Sequence, residues 1–143
     1  MTLPEDPIQL LDPDACWQFL AEQPVGRLAV VIGGEPYLFP VNHLVDEGGL
    51  LFRTGEGSKL LAVTLGGKVS YEVDAWSGLE GTSVVVRGTA HELEGEARAR
   101  AETLGLRPWV PTPKVHLVRI EVETISGRRF RFGPEPEPAQ PGD

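Results

Sequence analysis

From Gly26 onward the chain is written in short apolar, β-branched runs, separated by turn residues spaced too closely for helical crossovers to fit between them. Arg27 to Ile32 is one such run. Gly33-Gly34 supplies a tight reversal that tolerates positive φ, and Pro36 to Val45 resumes an extended pattern, so these segments predict a hairpin. Asp46-Glu47-Gly48-Gly49 predicts a second turn, leading into Leu50 to Thr54. Further strands are expected over Lys68 to Val73, Ser83 to His91, Lys114 to Val122 and Arg128 to Phe132, with Gly88 marking a bend or bulge and Gly127 separating the last two. Pro36 and Pro40 donate nothing to a ladder and belong at an edge, a bulge or a strand end. About six or seven short strands with few places for parallel crossovers favour an antiparallel barrel over a bundle or a parallel α/β layer.

The helices are peripheral. Asp12-Pro13-Asp14 predicts a helix start, with Asp12 as cap, Pro13 at the first helical position and Asp14 at the positive end of the dipole. Cys16, Trp17 and Leu20 share one face of this helix, which Pro24 stops, and Trp17 is expected in the core. Ser58 is expected to cap a second helix from Lys59 to Leu65, and a polar segment from Gly95 to Leu104 predicts a surface helix. Residues 1–11 are expected to form a flexible lead and residues 133–143 a disordered Pro- and Glu-rich tail, leaving 12–132 as one domain. Thirteen Lys and Arg against 21 Asp and Glu give a net charge of −8, which disfavours nucleic acid and anionic membranes as partners. A lone cysteine, Cys16, and the lack of a signal peptide or a long apolar run point to a reducing, cytoplasmic setting.

The same residues exclude several chemistries. His43, His91 and His116 lack the spacing of a metal ligand set and read as surface or strand histidines, so no metal is expected. There is no nucleophile elbow and no dinucleotide or nucleoside-triphosphate glycine fingerprint. The most informative stretch is Phe52-Arg53-Thr54-Gly55-Glu56-Gly57-Ser58-Lys59. It sets an arginine at a strand end and a lysine in a first helical turn, where only a bound anion relieves its unfavourable meeting with the dipole. That reads as a phosphate socket, or equally as a plain Ser58 cap with Arg53 and Lys59 solvated or paired with Glu56. Arg87, in a valine-rich strand, calls for an acidic or ligand partner, the plainer reading being an ion pair with Glu72 or Asp74. Trp76 and Trp109 lie in loops, as an interface plate or ligand lid would, and Gly127-Arg128-Arg129 forms a small basic corner.

These residues together carry a resemblance. Cys16-Trp17, Val25-Gly26-Arg27-Leu28-Ala29, Pro40-Val41-Asn42, Phe52-Arg53-Thr54 with Gly57-Ser58-Lys59, Tyr71-Glu72-Val73-Asp74, Val84-Val85-Val86-Arg87-Gly88 and Gly127-Arg128-Arg129 follow one another as in the pyridoxamine 5'-phosphate oxidase-like flavoproteins, which the chain resembles from about Leu11 to Phe132. The resemblance implies a mainly β fold, an antiparallel six-stranded split β-barrel with short peripheral helices, dimerising so that FMN lies between the subunits. It implies that Arg53, Thr54, Ser58 and Lys59 hold the FMN phosphate and that Pro40, Val41 and Asn42 run beside the isoalloxazine ring. Trp109 and Arg128 would approach the same groove from the other subunit of the homodimer. The implied activity is that of an oxidoreductase passing hydride between flavin N5 and a small-molecule substrate. The alternatives are a flavin-binding or storage protein without turnover, or a deazaflavin-dependent reductase. The Pro- and Glu-rich ending departs from the arginine- and proline-bearing terminus with which true pyridoxamine phosphate oxidases grip their substrate, so that vitamer is not the expected substrate.

Replacing Arg53 and Lys59 together by alanine is expected to weaken FMN far more than riboflavin, since charge-assisted contacts of roughly 1.5–3 kcal/mol each are lost. Parallel titrations with the two ligands check this; equal weakening would remove the socket.

Overall fold

The computed structural model describes residues 6–55, 67–107 and 116–134. Among them are strands β1 (Ile8–Leu11), β2 (Val25–Ile32), β3 (Glu35–Asn42), β4 (Leu44–Asp46), β5 (Gly49–Thr54), β6 (Lys68–Trp76), β7 (Glu80–Glu92) and β8 (His116–Arg131), with helices α1 (Pro13–Glu22) and α2 (Gly95–Glu102). Every strand pairing is antiparallel. The fold is mainly β, as expected, and the helix expected over Lys59 to Leu65 lies outside the described residues.

Local chemistry accounts for the elements. Asp12 caps α1, its Oδ1 accepting from the Ala15 N–H at 2.8 Å, and Pro13 opens the first turn. Gly33 and Gly34 take φ of 58° and 82° in the β2–β3 hairpin, and Glu47 and Gly48 take 41° and 76° in the β4–β5 turn. Two segments differ from expectation. Ile8–Leu11 is not a loose lead but a strand on β8, pairing Ile8 with Phe130 and Leu11 with Gly127. Strand β8 also runs unbroken through Gly127, because that glycine admits α1 instead of ending the strand. A Cβ there would lie 2.7 Å from the Cys16 sulfur and 3.1 Å from Leu11 and Val84 atoms.

The bulge at Gly88 is present. Arg87 faces Thr124 while Gly88 faces Val122, leaving Glu123 as the extra residue on β8. Its carboxylate accepts from Lys68 Nζ at 2.5 and 2.6 Å and from the Thr89 hydroxyl at 2.7 Å.

The sheet order β3-β2-β6-β7-β8-β5-β4 makes β3 and β4 its two ends, although only His43 separates them in the chain. A sheet whose ends are one residue apart must curl on itself, and the unpaired gap between them is the split in the barrel. Its interior holds Leu28, Tyr71, Val73, Val84, Val86, Phe52, Val118 and Ile120, with Cys16 and Leu20 of α1 closing one end. A smaller cluster of Leu51, Leu93, Ala101, Leu106 and Leu117 lies under α2. Strand β5 therefore buries both faces, which explains its uninterrupted Leu50-Leu51-Phe52 run.

The seam is held by polar contacts. The His43 N–H donates to the Pro24 carbonyl at 3.0 Å. His43 is buried, contrary to its reading as a surface or strand residue, and its ring lies edge-on to Tyr71. Nε2 is 2.9 Å from the Leu20 carbonyl, a pure acceptor, so Nε2 carries the proton and Nδ1 accepts from the Tyr71 hydroxyl at 2.6 Å. The Val41 carbonyl, 3.2 Å from the same hydroxyl, is a second acceptor within its reach. Gly26 makes room, since a Cβ there would sit 2.5 Å from the Tyr71 ring.

Burial pushes the His43 pKa below its ordinary 6.5, against a smaller opposing effect of the Leu20 hydrogen bond. The unfolded chain thus binds a proton that the folded chain resists, and stability is complete above about pH 6.5 and falls below it, by at most about 1.4 kcal/mol per pH unit. Thermal melts between pH 7.5 and 5 are expected to show this decline in the wild type. His43→Gln, less stable at pH 7.5, is expected to show a flatter profile; parallel profiles would count against the histidine as the source.

Candidate functional site

The last residues of β3 and β5 carry most of the expected site. Val41 faces the barrel interior beside Tyr37 and Phe39, which places Pro40 and Asn42 on the outer face of β3. On β5 the alternation separates neighbours in the same way. Thr54 continues the inward row of Leu50 and Phe52 and is 2% exposed, whereas Arg53 follows Leu51 toward α2. Arg53 and Thr54, expected to grip one phosphate together, therefore leave the strand on opposite faces. Ser58, Lys59 and Trp109 lie outside the described residues.

Arg53 and Asn42 are brought together by the chain that follows α2. The Arg53 Nε–H donates to the Leu106 carbonyl at 2.9 Å, and its two terminal nitrogens donate to Glu102 Oε2 at 2.6 Å and Oε1 at 3.3 Å. The Asn42 amide donates to the Arg107 carbonyl at 2.8 Å. Hydrogen bonding from Arg53, with a lesser contribution from Arg98, holds the Glu102 carboxyl below its usual range. Helix α2 is itself pinned to the β4–β5 turn, where Asp46 accepts from both terminal nitrogens of Arg100 at 2.8 and 2.9 Å and from Arg119 at 3.1 Å. Nothing local in the sequence announced Glu102, Leu106 or Arg107 as partners, since they lie 49 to 65 residues from the side chains they engage.

At the end of β5, the Thr54 hydroxyl oxygen is buried and without a hydrogen-bond partner among the described residues. Such an atom carries a desolvation cost of about 1–3 kcal/mol unless something supplies a partner.

A second region lies across the outer sheet face. Pro40, Arg27, Glu72, Val85 and Ser126 are successive partners across β3, β2, β6, β7 and β8. Arg27 bridges Glu72 at 3.0 Å and Asp74 at 2.9 Å, and the Ser83 hydroxyl donates to Glu72 at 3.2 Å. Arg27 thus takes the role expected of Arg87: cross-strand register sets Arg27 opposite Glu72, whereas Arg87 falls opposite Ser70. Burial, and then the neighbouring Asp74 carboxylate, raise the Glu72 pKa.

Beyond this trio is a cavity of about 380 Å³ lined by Ser83, Val85, Arg87, Ser126, Arg128 and Phe130. Neither Arg87 nor Arg128 has an ion-pair partner among the described residues. At its rim Trp76, 58% exposed, lies over Gly81 and stacks on Phe130 and Phe132, with ring centroids 5.7 and 5.8 Å apart. The described residues contain no metal-binding cluster and no helix long and apolar enough to cross a membrane.

Comparison with known proteins places this architecture. The sequence profile of the pyridoxamine 5'-phosphate oxidase family matches residues 12–129. The chain belongs to that family. An FAD-binding protein from Mycobacterium smegmatis is 35% identical, with a TM-score of 0.78 over 86% of this chain and 98% of its own. A conserved protein of unknown function from Corynebacterium diphtheriae is 41% identical, with a TM-score of 0.75 over 87% of this chain and 99% of its own. An uncharacterized protein of Mycobacterium tuberculosis is 35% identical over 128 residues, 84% of each chain. The mainly β, antiparallel split-barrel fold with short peripheral helices expected from the resemblance is thus shown for this member of the family.

The residues fit a flavin phosphate at one point in particular. A phosphate oxygen near Thr54 would give its hydroxyl the partner it lacks. Thr54→Val is therefore expected to leave the flavin-free protein as stable as the wild type or stabilise it by up to about 1–3 kcal/mol, because it removes an unsatisfied buried oxygen. Chemical denaturation of stripped protein measures this, and a loss of stability would show that the hydroxyl already has a partner.

Proposed function

We propose that this protein is a homodimeric flavin-dependent oxidoreductase, built around FMN or the FMN portion of FAD and acting on a small molecule. The observation that carries the reading is the buried Thr54 hydroxyl at the end of β5, unpartnered among the described residues, in a chain of this family that is 35% identical to an FAD-binding protein. In this reading the Thr54 O–H donates to a phosphate oxygen and Ser58 and Lys59, which follow it in the chain, supply further contacts, while Arg53, on the opposite face of β5, braces the chain after α2 through Leu106 and Glu102. The main chain of Val41 and the Asn42 amide meet the polar edge of the isoalloxazine ring, and Pro40 flanks it.

A flavin, when bound, supplies hydride acceptance and donation at N5. The chain's contribution is to bind, to orient and to exclude water. A second copy of the chain covers the outer sheet face, so that its Arg128 and Trp109 close the groove. Arg87 and Arg128 around the 380 Å³ cavity, without ion-pair partners among the described residues, and the exposed Trp76 stack support that face as the one a partner covers.

Purified protein is expected to be yellow and to release a flavin identifiable by mass spectrometry. A nicotinamide donor should bleach the flavin band, and substrate should restore it. In Thr54→Val the flavin phosphate is expected to lose about 0.5–1.5 kcal/mol of binding, or roughly two- to tenfold in affinity, with riboflavin unaffected. A colourless protein that takes up neither FMN nor FAD on titration would overturn the reading, and a flavin band unmoved by any reductant would leave a carrier in place of an enzyme.

A further inference from the structure

We infer that the cavity over β7 and β8 on the outer sheet face binds an elongated small molecule with an acidic group at each end, one held by Arg87 and the other by Arg128. The inference goes beyond the flavin reading and stands without it, because one chain supplies the lining of the cavity.

Charge singles these two arginines out. With 21 Asp and Glu against 13 Lys and Arg, a guanidinium of this chain has carboxylates to choose from, and Arg27, Arg53, Arg100 and Arg119 each hold one at 2.6 to 3.1 Å. Arg87 and Arg128 have no ion-pair partner among the described residues. Both nevertheless line one cavity of about 380 Å³, within the range of small-molecule sites, and no acidic residue lines it with them among the described residues.

Register sets their separation. Ser83, Val85 and Arg87 share the outer face of β7, since Val84 and Val86 between them belong to the core. Arg128 stands opposite Ser83, and Arg87 lies four residues farther along β7, with the Val85–Ser126 pair between them. At 3.3–3.4 Å per residue the two arginines leave the sheet roughly 13 Å apart along the strand. What lies between them disfavours charge. Val85 is apolar, and its neighbour on β6 is Glu72, which with Asp74 shares the single Arg27. A negative group at mid-cavity meets that surplus carboxylate, whereas a negative group at either end meets a guanidinium. The ligand's charges therefore belong at its ends and an apolar stretch at its middle, and Phe130 adds an apolar wall on the Arg128 side.

A second copy of this chain is a poorer source of the two acids. The carboxylates it presents from the same face, Glu72 and Asp74, are held by Arg27 at 3.0 and 2.9 Å, and Glu72 also accepts from Ser83 at 3.2 Å. A copy covering the face encloses the cavity and leaves both guanidiniums to a ligand.

The test titrates the purified full-length protein calorimetrically with three probes. Sebacate carries a carboxylate at each end of an apolar chain, decanoate has the same chain with one carboxylate, and succinate has two on a short chain. Sebacate is expected to bind at least about fivefold more tightly than either, the gain from a second charge-assisted contact after screening by solvent. Arg87→Gln and Arg128→Gln, both at exposed positions, are each expected to bring sebacate down to the level of decanoate. Decanoate should weaken by no more than about twofold in either, since one arginine remains to it. Melting temperatures show whether the variants are folded, and the wild-type series decides alone where they are not. A sebacate preference below about fivefold, or one that survives in both variants, overturns the inference. So does a wild type that ignores sebacate while the double variant passes from dimer to monomer on size exclusion, which would give the arginines to the second copy. The flavin reading is scored separately, from the visible band of the same samples. A yellow protein indifferent to sebacate sinks this inference alone, and a colourless one that prefers sebacate keeps it and counts against the flavin.

Discussion

The hydrogen bond between Tyr71 and His43 is the contact on which the rest of the barrel turns. Two end strands separated by one residue cannot pair with each other, yet the residue between them must pass through the interior. That passage is tolerable only if its polar atoms find partners away from water. His43 solves the problem in three directions, through its backbone N–H to Pro24, Nε2–H to Leu20 and Nδ1 to Tyr71. The same tyrosine oxygen lies 3.2 Å from the Val41 carbonyl, so the closure of the barrel sits directly against the strand beside the proposed ring edge.

Strand β5 plays the complementary part. Because both its faces are covered, consecutive residues enter different environments, and Arg53 and Thr54 are divided between the helix side and the interior. Among the described residues the hydroxyl is buried without a partner, whereas the guanidinium engages both Leu106 and Glu102. What couples the helix side to the barrel is the charge network around Asp46. Two arginines from different elements converge on one nearly buried carboxylate, a geometry strong enough to fix α2 although that helix buries only Ala101 of its own residues.

Features written in adjacent residues were legible in the sequence. The Asp12 cap with Pro13 set the span of α1, and the glycine-bearing turns set the ends of β2 to β5, because each depends on backbone preferences that a few residues express alone. Strand β1 escaped, since Ile8 to Leu10 are exposed and the segment is held by backbone pairing that leaves no alternating pattern. Gly127 looked like a break because a glycine that ends a strand and one that admits a helix read alike. Arg27 and Arg87 differ only by register, which no local pattern supplies. In the candidate site, Arg53 and Asn42 were identifiable from their neighbours, but the carbonyls and carboxylate that engage them were not, being set by the path of the chain after α2.

The close seating of α1 on Gly127 also settles the chemistry of the chain's one thiol. Cys16 is fully shielded, its sulfur directed at the Gly127 backbone, and burial pushes its pKa upward. Thiolate is the form that alkylating agents and peroxide attack, so in the native state this sulfur is inert to both. Labelling by a maleimide then counts molecules in which α1 has left the sheet, which gives the fold a built-in reporter of its own opening.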